Sequence, residues 1–146
     1  MDLPLRHRNL PLLLLKARED VIARFRPILN ANGVTEQQWR ILRALAEHDP
    51  DALEPGRICE LCTILAPSLT GMLVRMEDLH LVARKRDGDD QRRQKVSLTA
   101  QGRAVVRKIA PRVEREYQAI ETAIGKSLVR EAYDVLDRLS EAMRAV

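Results

Sequence analysis

The hydrophobic pattern of this chain changes its period once, and that change restricts the fold more than any other feature. From residue 12 to residue 79, apolar residues recur mostly every three or four positions, as in amphipathic helices. Two short extended segments follow, 81–86 and 94–98, on either side of a polar run, and the helical period then returns. We therefore expect a mainly α-helical fold with one small β-hairpin.

Local signals indicate where the first helices begin and end. Thr35 and Gln38 have the spacing of a capping box, which predicts a helix start at this point. Pro67 suits the first turn of the last helix before the hairpin. The first helical segment covers 12–29, and Pro27 predicts a kink or an early end within it.

The helical segment after the hairpin is unusually long. Thr99 is placed to cap it, the pattern runs from Ala100 to Ile124, and Gly125 ends it before a final helix. Pro111 predicts a bend within it. About 25 residues of helix extend ~37 Å, more than a compact domain of this size needs, so part of the apolar stripe should meet another chain. We expect a homodimer.

Composition limits the class of partner. The chain has 146 residues, which suits a single domain of ordinary size, with 45% hydrophobic and 32% charged residues and a net charge of +4. The positive charge favours anionic partners. Only 3% of residues are aromatic, which argues against a surface that stacks successive unpaired bases and favours duplex DNA.

The N-terminal region carries basic residues before an apolar run. That run is short, contains Pro11 and stops at Lys16, so it predicts an amphipathic helix rather than a signal peptide. No run approaches the ~18 apolar residues of a membrane span. We expect a cytoplasmic protein without a membrane partner.

Short helices followed directly by a hairpin are the order of a winged helix-turn-helix, in which the helix after the turn enters the major groove of DNA. Such a helix needs one firmly packed face and one exposed polar face. In the segment after Pro67, the apolar positions are Leu69, Met72, Leu73 and Met76. The opposite face offers four candidate DNA contacts: Ser68, Thr70, Gly71 and Arg75. An ordinary amphipathic surface helix would show the same pattern.

The hairpin is basic, with six Lys or Arg residues against three Asp residues between positions 84 and 95. Arginines on a narrow wing can contact phosphates or enter the minor groove. We expect Arg86, Arg92 and Arg93 to contact DNA and Asp90 to hold the shape of the wing by pairing with an arginine. A solvated charged turn is the alternative interpretation.

The chain resembles the MarR family of winged-helix transcriptional regulators over nearly its whole length. The resemblance is carried by residues 67–70, 76–82, 87–92 and 96–102, and most specifically by the Asp90-x-Arg92 and Leu98-Thr99-x-x-Gly102 patterns. It implies a homodimer that binds a palindromic operator and is commonly released by a small phenolic or aromatic-acid ligand.

The resemblance also implies a division of the single chain, 1–146, into functional parts. Residues 35–99 would form the DNA-binding lobe, and residues 10–32 and 100–146 a helical region for dimerisation. Regulation by such a dimer can be repression or activation, and repression is the expected mode.

Within the family, residues 17–19, 24–27 and 35–45 are similar to the regulators of homoprotocatechuate-degradation operons. That similarity makes Arg18, Trp39 and Arg40 candidate contacts for an aromatic effector. The alternatives are a core position for Trp39 and surface charge or salt bridges across the dimer for the two arginines.

Two positions depart from the family pattern. Gly71 stands where many relatives place an arginine, so one contact to DNA would be absent. His80 replaces a glycine often found at the end of the recognition helix. A left-handed cap suits histidine less well than glycine, which predicts a different helix end here.

No pattern indicates a catalytic, metal or cofactor site, so we do not expect an enzyme. Cys59 and Cys62 form a single C-x-x-C, which favours two buried core thiols over a metal or redox site. His7, His48 and His80 lack ligand spacing. Two alternatives remain open, a helical dimer that acts as a protein-interaction module and a regulator that senses oxidants through its cysteines.

Overall fold

Seven helices and one two-stranded antiparallel sheet follow one another along the described residues of the computed structural model, 1–87 and 90–146. The side chains of residues 87–92 also lie outside that description. The helices are α1 (Leu10–Ile22), α2 (Arg26–Ala31), α3 (Glu36–His48), α4 (Pro55–Cys62), α5 (Ala66–Asp78), α6 (Ala100–Ile124) and α7 (Lys126–Arg144), and the strands between α5 and α6 are β1 (Val82–Asp87) and β2 (Asp90–Leu98). The predicted fold class, mainly α with one hairpin, is confirmed.

The first helical segment is two helices, so the predicted interruption within 12–29 is confirmed, but it lies at residues 23–25 rather than at Pro27. The side chain of Asn9 accepts a hydrogen bond from the Leu12 amide at 3.0 Å and opens α1 earlier than predicted. The chain leaves the helix after Ile22 and re-enters at Arg26. Pro27 therefore lies in the first turn of α2, where its missing N–H costs no intrahelical hydrogen bond.

The predicted caps of α3 and α6 match the structure. Thr35 and Gln38 form the reciprocal capping box, with hydrogen bonds of 3.1 and 3.0 Å. The Thr99 hydroxyl accepts a hydrogen bond from the Gly102 amide at 2.9 Å at the start of α6. Helix α6 continues through Pro111 to Ile124, and Gly125 follows with a left-handed φ of 93°.

The hairpin strands are longer than the predicted 81–86 and 94–98. Val82 pairs with Leu98 and the register continues to Arg86 and Gln94, after which an irregularity brings Asp87 opposite Asp90. The polar residues between the predicted strands suggested a loop, but most of them continue the sheet. Leu53 bridges to Val96, with two 2.8 Å backbone hydrogen bonds, and ties the hairpin to the α3–α4 connection.

The chain divides into two compact units, residues 1–110 and 111–146. The first unit has a continuous apolar core contributed by α2 to α6 and the hairpin. Its most deeply buried side chains are Leu29, Ile41, Leu42, Leu45, Ile58, Leu69, Leu73, Met76, Val96 and Ile109. This core supports the winged helix-turn-helix formed by α3, α4, α5 and the hairpin.

In the part of the chain that the structure describes, no single helix is long and apolar enough to cross a membrane. Helices α4 and α5 together reach the length and composition of a broken span, with a bend of 108° between them. Their apolar faces include the core residues Ile58, Leu69 and Leu73.

Candidate nucleic-acid interface

Helix α5 presents a polar face to solvent, from Ser68 in its first turn to Arg75 in its last. Ser68, Thr70, Gly71 and Arg75 are all exposed, whereas Leu69, Leu73 and Met76 are at most 2% exposed. The Thr70 hydroxyl donates to the Ala66 carbonyl oxygen at 3.2 Å, so in this rotamer it can only accept a hydrogen bond from a base. The structure thus gives this helix the two faces that a recognition helix requires.

Gly71 lies where a side chain would meet open space. A Cβ built at this position has no neighbouring atom within 4 Å. The absence of an arginine here is therefore not enforced by packing. The backbone of α5 can approach DNA closely at this point.

The end of α5 differs from our expectation, because His80 does adopt the left-handed conformation, with φ 59°. The amide of Leu81 donates to the Met76 carbonyl at 2.9 Å, and the amide of His80 donates to the Glu77 carbonyl at 2.8 Å. These two bonds form a Schellman motif. The Thr99 hydroxyl donates to the His80 carbonyl and so holds this strained residue from outside the helix.

Gly102 explains why the first turn of α6 can lie against the end of α5. A Cβ at Gly102 would fall 2.1 Å from the carbonyl oxygen of Leu81, which also accepts the Thr99 amide at 3.1 Å. Only glycine fits this contact. The sequence pattern marked Gly102 but carried no sign of its partner, which lies 21 positions earlier.

Some basic residues of the wing are exposed, whereas another forms an ion pair with α5. Arg86 on β1 and Arg93 on β2 are exposed. Arg84 instead turns toward α5, where its Nε donates to Glu77 Oε1 at 2.6 Å. The predicted roles of Arg92 and Asp90 concern side chains outside the described part of the structure.

Two of the three candidate effector residues share one carboxylate. Arg18 Nη2 on α1 donates to Glu36 Oε1 at 2.6 Å, and Arg40 Nε on α3 lies 3.1 Å from the same oxygen. Arg40 Nη1 also donates to the Cys62 carbonyl at 2.6 Å, at the end of α4. Sequence reasoning missed Glu36, although its spacing of four from Arg40 on one helix was a signal.

Trp39, the third candidate, is half-buried and is not one of the core residues. The alternative that Trp39 is a core residue is therefore wrong, because its side chain is only partly buried.

The two cysteines have different surroundings and are not joined in a disulfide. Cys62 is 4% exposed, its Sγ donates to the Arg40 carbonyl at 3.4 Å, and burial raises the pKa of its thiol. Cys59 is only partly buried, so the expectation of two core thiols is wrong for it. Among the described residues, no three His, Cys, Asp or Glu side chains are grouped to hold a metal ion.

Comparisons with known proteins point to one family. The MarR family model matches residues 32–93. The chain is 38% identical to the HTH-type transcriptional regulator FarR of Neisseria gonorrhoeae, over 93% of the chain and 92% of that protein. It is 37% identical to the homoprotocatechuate degradative operon repressor of Escherichia coli, over 90% and 87%.

Solved structures agree with the sequence relatives. NadR in complex with 4-hydroxyphenylacetate superposes with a TM-score of 0.79 at 39% identity, over 95% of this chain and 97% of NadR. The match therefore includes the helices on both sides of the winged helix-turn-helix.

Proposed function

Because the chain belongs to the MarR family of transcriptional regulators, we propose that it represses transcription by binding duplex DNA as a homodimer and leaves DNA when a small aromatic or phenolic acid binds. The observation that carries this proposal is the exposed polar face of α5, backed by a buried apolar face and followed directly by a basic hairpin. We also propose a cytoplasmic location, because the protein would bind DNA there.

On DNA, the N-terminal half of α5 would lie in the major groove. Ser68, Thr70 and Arg75 would contact base edges or flanking phosphates, and the backbone at Gly71 would pass close to the groove wall. The exposed Arg86 and Arg93, together with Arg92, would contact phosphates or the adjacent minor groove. Asp90 would shape the wing that carries them.

A second copy of the chain would cover the apolar surfaces of the outer helices. Neither α1 nor α7 contains a buried residue. The exposed apolar side chains on α1 are Leu10, Leu12, Leu13, Leu14, Leu15 and Val21, and those on α7 are Leu128, Tyr133, Val135, Leu136 and Met143. Burying a leucine gains about 1.5–3 kcal/mol, so these surfaces favour pairing through residues 10–32 and 100–146.

We propose an acid as the effector because two guanidinium groups, those of Arg18 and Arg40, lie close enough together to bind one carboxylate. NadR is described in complex with 4-hydroxyphenylacetate, and the E. coli relative is named for the homoprotocatechuate operon. Arg18 and Arg40 already hold the carboxylate of Glu36. A ligand carboxylate could take over one of these guanidinium groups, with its ring against Trp39.

Titration of a labelled duplex from the gene's own upstream region tests the proposal, with and without 4-hydroxyphenylacetate. We expect a complex that weakens steeply as salt rises and dissociates when the acid is added. A protein-interaction module would give no salt-dependent complex. A cysteine-based sensor would release DNA on peroxide treatment, and Cys59→Ser or Cys62→Ser would abolish that release.

A further inference from the structure

The first turn of α6 is attached to the DNA-binding lobe at two places. One is the close contact of Gly102 with the Leu81 carbonyl, at the end of the recognition helix. The other is an ion pair between Arg103 and Asp49, the residue that ends α3. Neighbouring residues of α6 therefore contact the ends of the two helices that frame the helix-turn-helix.

The Asp49–Arg103 pair is bidentate. Arg103 Nε donates to Asp49 Oδ2 at 3.0 Å, and Nη2 donates to Oδ1 at 2.8 Å. A planar guanidinium on a carboxylate fixes orientation as well as distance. The two residues are 54 positions apart in the chain, and the side chain of Arg103 is 35% exposed and that of Asp49 29%.

The two attachments differ in how easily they change. The Gly102 contact joins backbone to backbone without space for even a methyl group, so it acts as a fixed point. The Asp49–Arg103 pair joins two side chains that are partly open to water, so it can separate without disturbing the core. Without the pair, the start of α6 keeps the Gly102 contact but loses the side-chain contact that fixes its direction relative to the end of α3.

We propose that the Asp49–Arg103 pair is a positioning contact that holds each DNA-binding lobe at the angle on α6 at which the two recognition helices of a dimer fit the spacing of the operator half-sites. This inference rests on the proposed function, since it needs a dimer on DNA. A dimer binds two half-sites about one helical turn apart, and a lobe of variable orientation loses affinity because the competent arrangement is less populated.

The main test uses Asp49→Asn, which keeps the size of the side chain and removes its charge. Loss of an acidic residue should, by charge alone, strengthen binding to DNA. We expect the opposite at the operator, a loss of about tenfold in affinity, within the 5- to 150-fold range of conformational coupling. Binding to a random duplex of the same length should not fall.

The matched control is Glu47→Gln, which also removes one negative charge from α3 and breaks an exposed pair with Arg43 at 2.8 Å. We expect operator binding to be unchanged or slightly stronger. Arg103→Lys keeps the charge but loses the two-pronged geometry, so it should behave like Asp49→Asn. The exchange Asp49→Arg with Arg103→Asp should recover part of the affinity.

The preference of the dimer for one spacing of the half-sites distinguishes a positioning role from a purely structural one, because a loss of stability alone would not change that preference. The palindrome protected by the wild-type protein is rebuilt with one base pair added at its centre. We expect the wild type to bind this duplex much more weakly than the natural one, and Asp49→Asn and Arg103→Lys to discriminate several-fold less between them. Sedimentation confirms that each variant is a dimer.

The outcomes separate the two proposals. If the wild type ignores DNA, the proposed function fails and the inference fails with it. If the wild type binds and both single variants keep its operator affinity and its spacing preference, only the inference is overturned. A fall in affinity with an unchanged spacing preference also overturns it.

Discussion

At the scale of single residues, His80 pays a conformational cost that glycine would not. In the folded protein, a residue with a Cβ in the left-handed region costs about 1–2 kcal/mol. Replacing it by glycine removes this cost, but the unfolded chain then gains backbone entropy, which lowers the stability by about 0.5–1 kcal/mol. We expect His80→Gly to raise the free energy of unfolding by up to about 1 kcal/mol, measured by urea denaturation. A loss of stability would mean that the imidazole makes a compensating contact.

Two glycines should respond in opposite ways to the same change. Gly102→Ala places a methyl group 2.1 Å from the Leu81 carbonyl oxygen, so we expect a loss of roughly 2–3 kcal/mol or more in unfolding free energy. Gly71→Ala meets no atom within 4 Å and adds helix propensity, so we expect a gain of up to about 1 kcal/mol. Thermal denaturation of both variants checks the pair, and equal effects would contradict the close approach at Gly102.

The carboxyl of Asp49 gives a pH dependence of defined sign. The hydrogen-bonded guanidinium of Arg103 lowers the pKa of Asp49, and the charges of Arg103 and Arg107 act in the same direction. The stabilisation by the ionised Asp49 carboxylate is therefore complete above about pH 3.9, the ordinary aspartate pKa. It is lost as the pH falls through the lowered pKa of the folded state. We expect the stability difference between wild type and Asp49→Asn to be constant from about pH 5 to 8 and to shrink below about pH 4 in denaturant titrations. A difference that changed near pH 7 would point to another group.

At the scale of elements, α5 and the wing should contribute differently to DNA binding. We expect Arg92→Ala to weaken binding to all duplexes and to reduce the slope of log affinity against log salt by about 1, as for a lost phosphate contact. Thr70→Ala or Arg75→Ala should also reduce discrimination between operator and mutated operator, by about 1–3 kcal/mol for a lost base contact. Fluorescence anisotropy at several salt concentrations measures both effects.

The control for these variants is Arg138→Ala, which removes the same charge from an exposed position on α7, outside the winged helix-turn-helix. It should leave affinity and salt slope nearly unchanged. An Arg92→Ala protein that kept the wild-type slope would contradict the role of the wing.

The bounds of an element were predictable where the signals that set them are local. Thr99 and Gly125 stand at the two ends of α6, and the structure begins and ends that helix beside them. The hairpin was less predictable, because Asp87 and Asp90 read as turn residues in the sequence but pair with each other across the irregular end of the sheet. Strand length depends on the partner strand, which local propensity does not contain.

Candidate site residues were likewise predictable only where the signal is local in the sequence. The exposed face of α5 could be predicted because burial follows helical periodicity. Three contacts could not be predicted, because in each the two residues come from different elements: Arg18 with Glu36, Gly102 with Leu81, and Asp49 with Arg103. Their contacts exist only once the chain is folded.

At the scale of the whole molecule, the apolar surfaces of α1 and α7 predict that the chain functions as a pair. Leu136 on α7 is 46% exposed in the single chain. We expect Leu136→Glu to shift the protein toward monomers in sedimentation equilibrium and to lower operator affinity at least tenfold, because a carboxylate cannot be buried in an apolar contact without several kcal/mol of cost. Glu141→Gln on the same helix is the control. An unchanged dimer in Leu136→Glu would place the contact elsewhere.

The row of leucines left uncovered on α1 has a consequence for gene dosage. If promoter occupancy requires two chains to combine first, then at dilute concentrations it rises with roughly the second power of chain abundance. Halving expression would then reduce occupancy about fourfold. A cell that carries one such gene would sense small changes in its own supply of this protein much more sharply than a monomeric regulator allows.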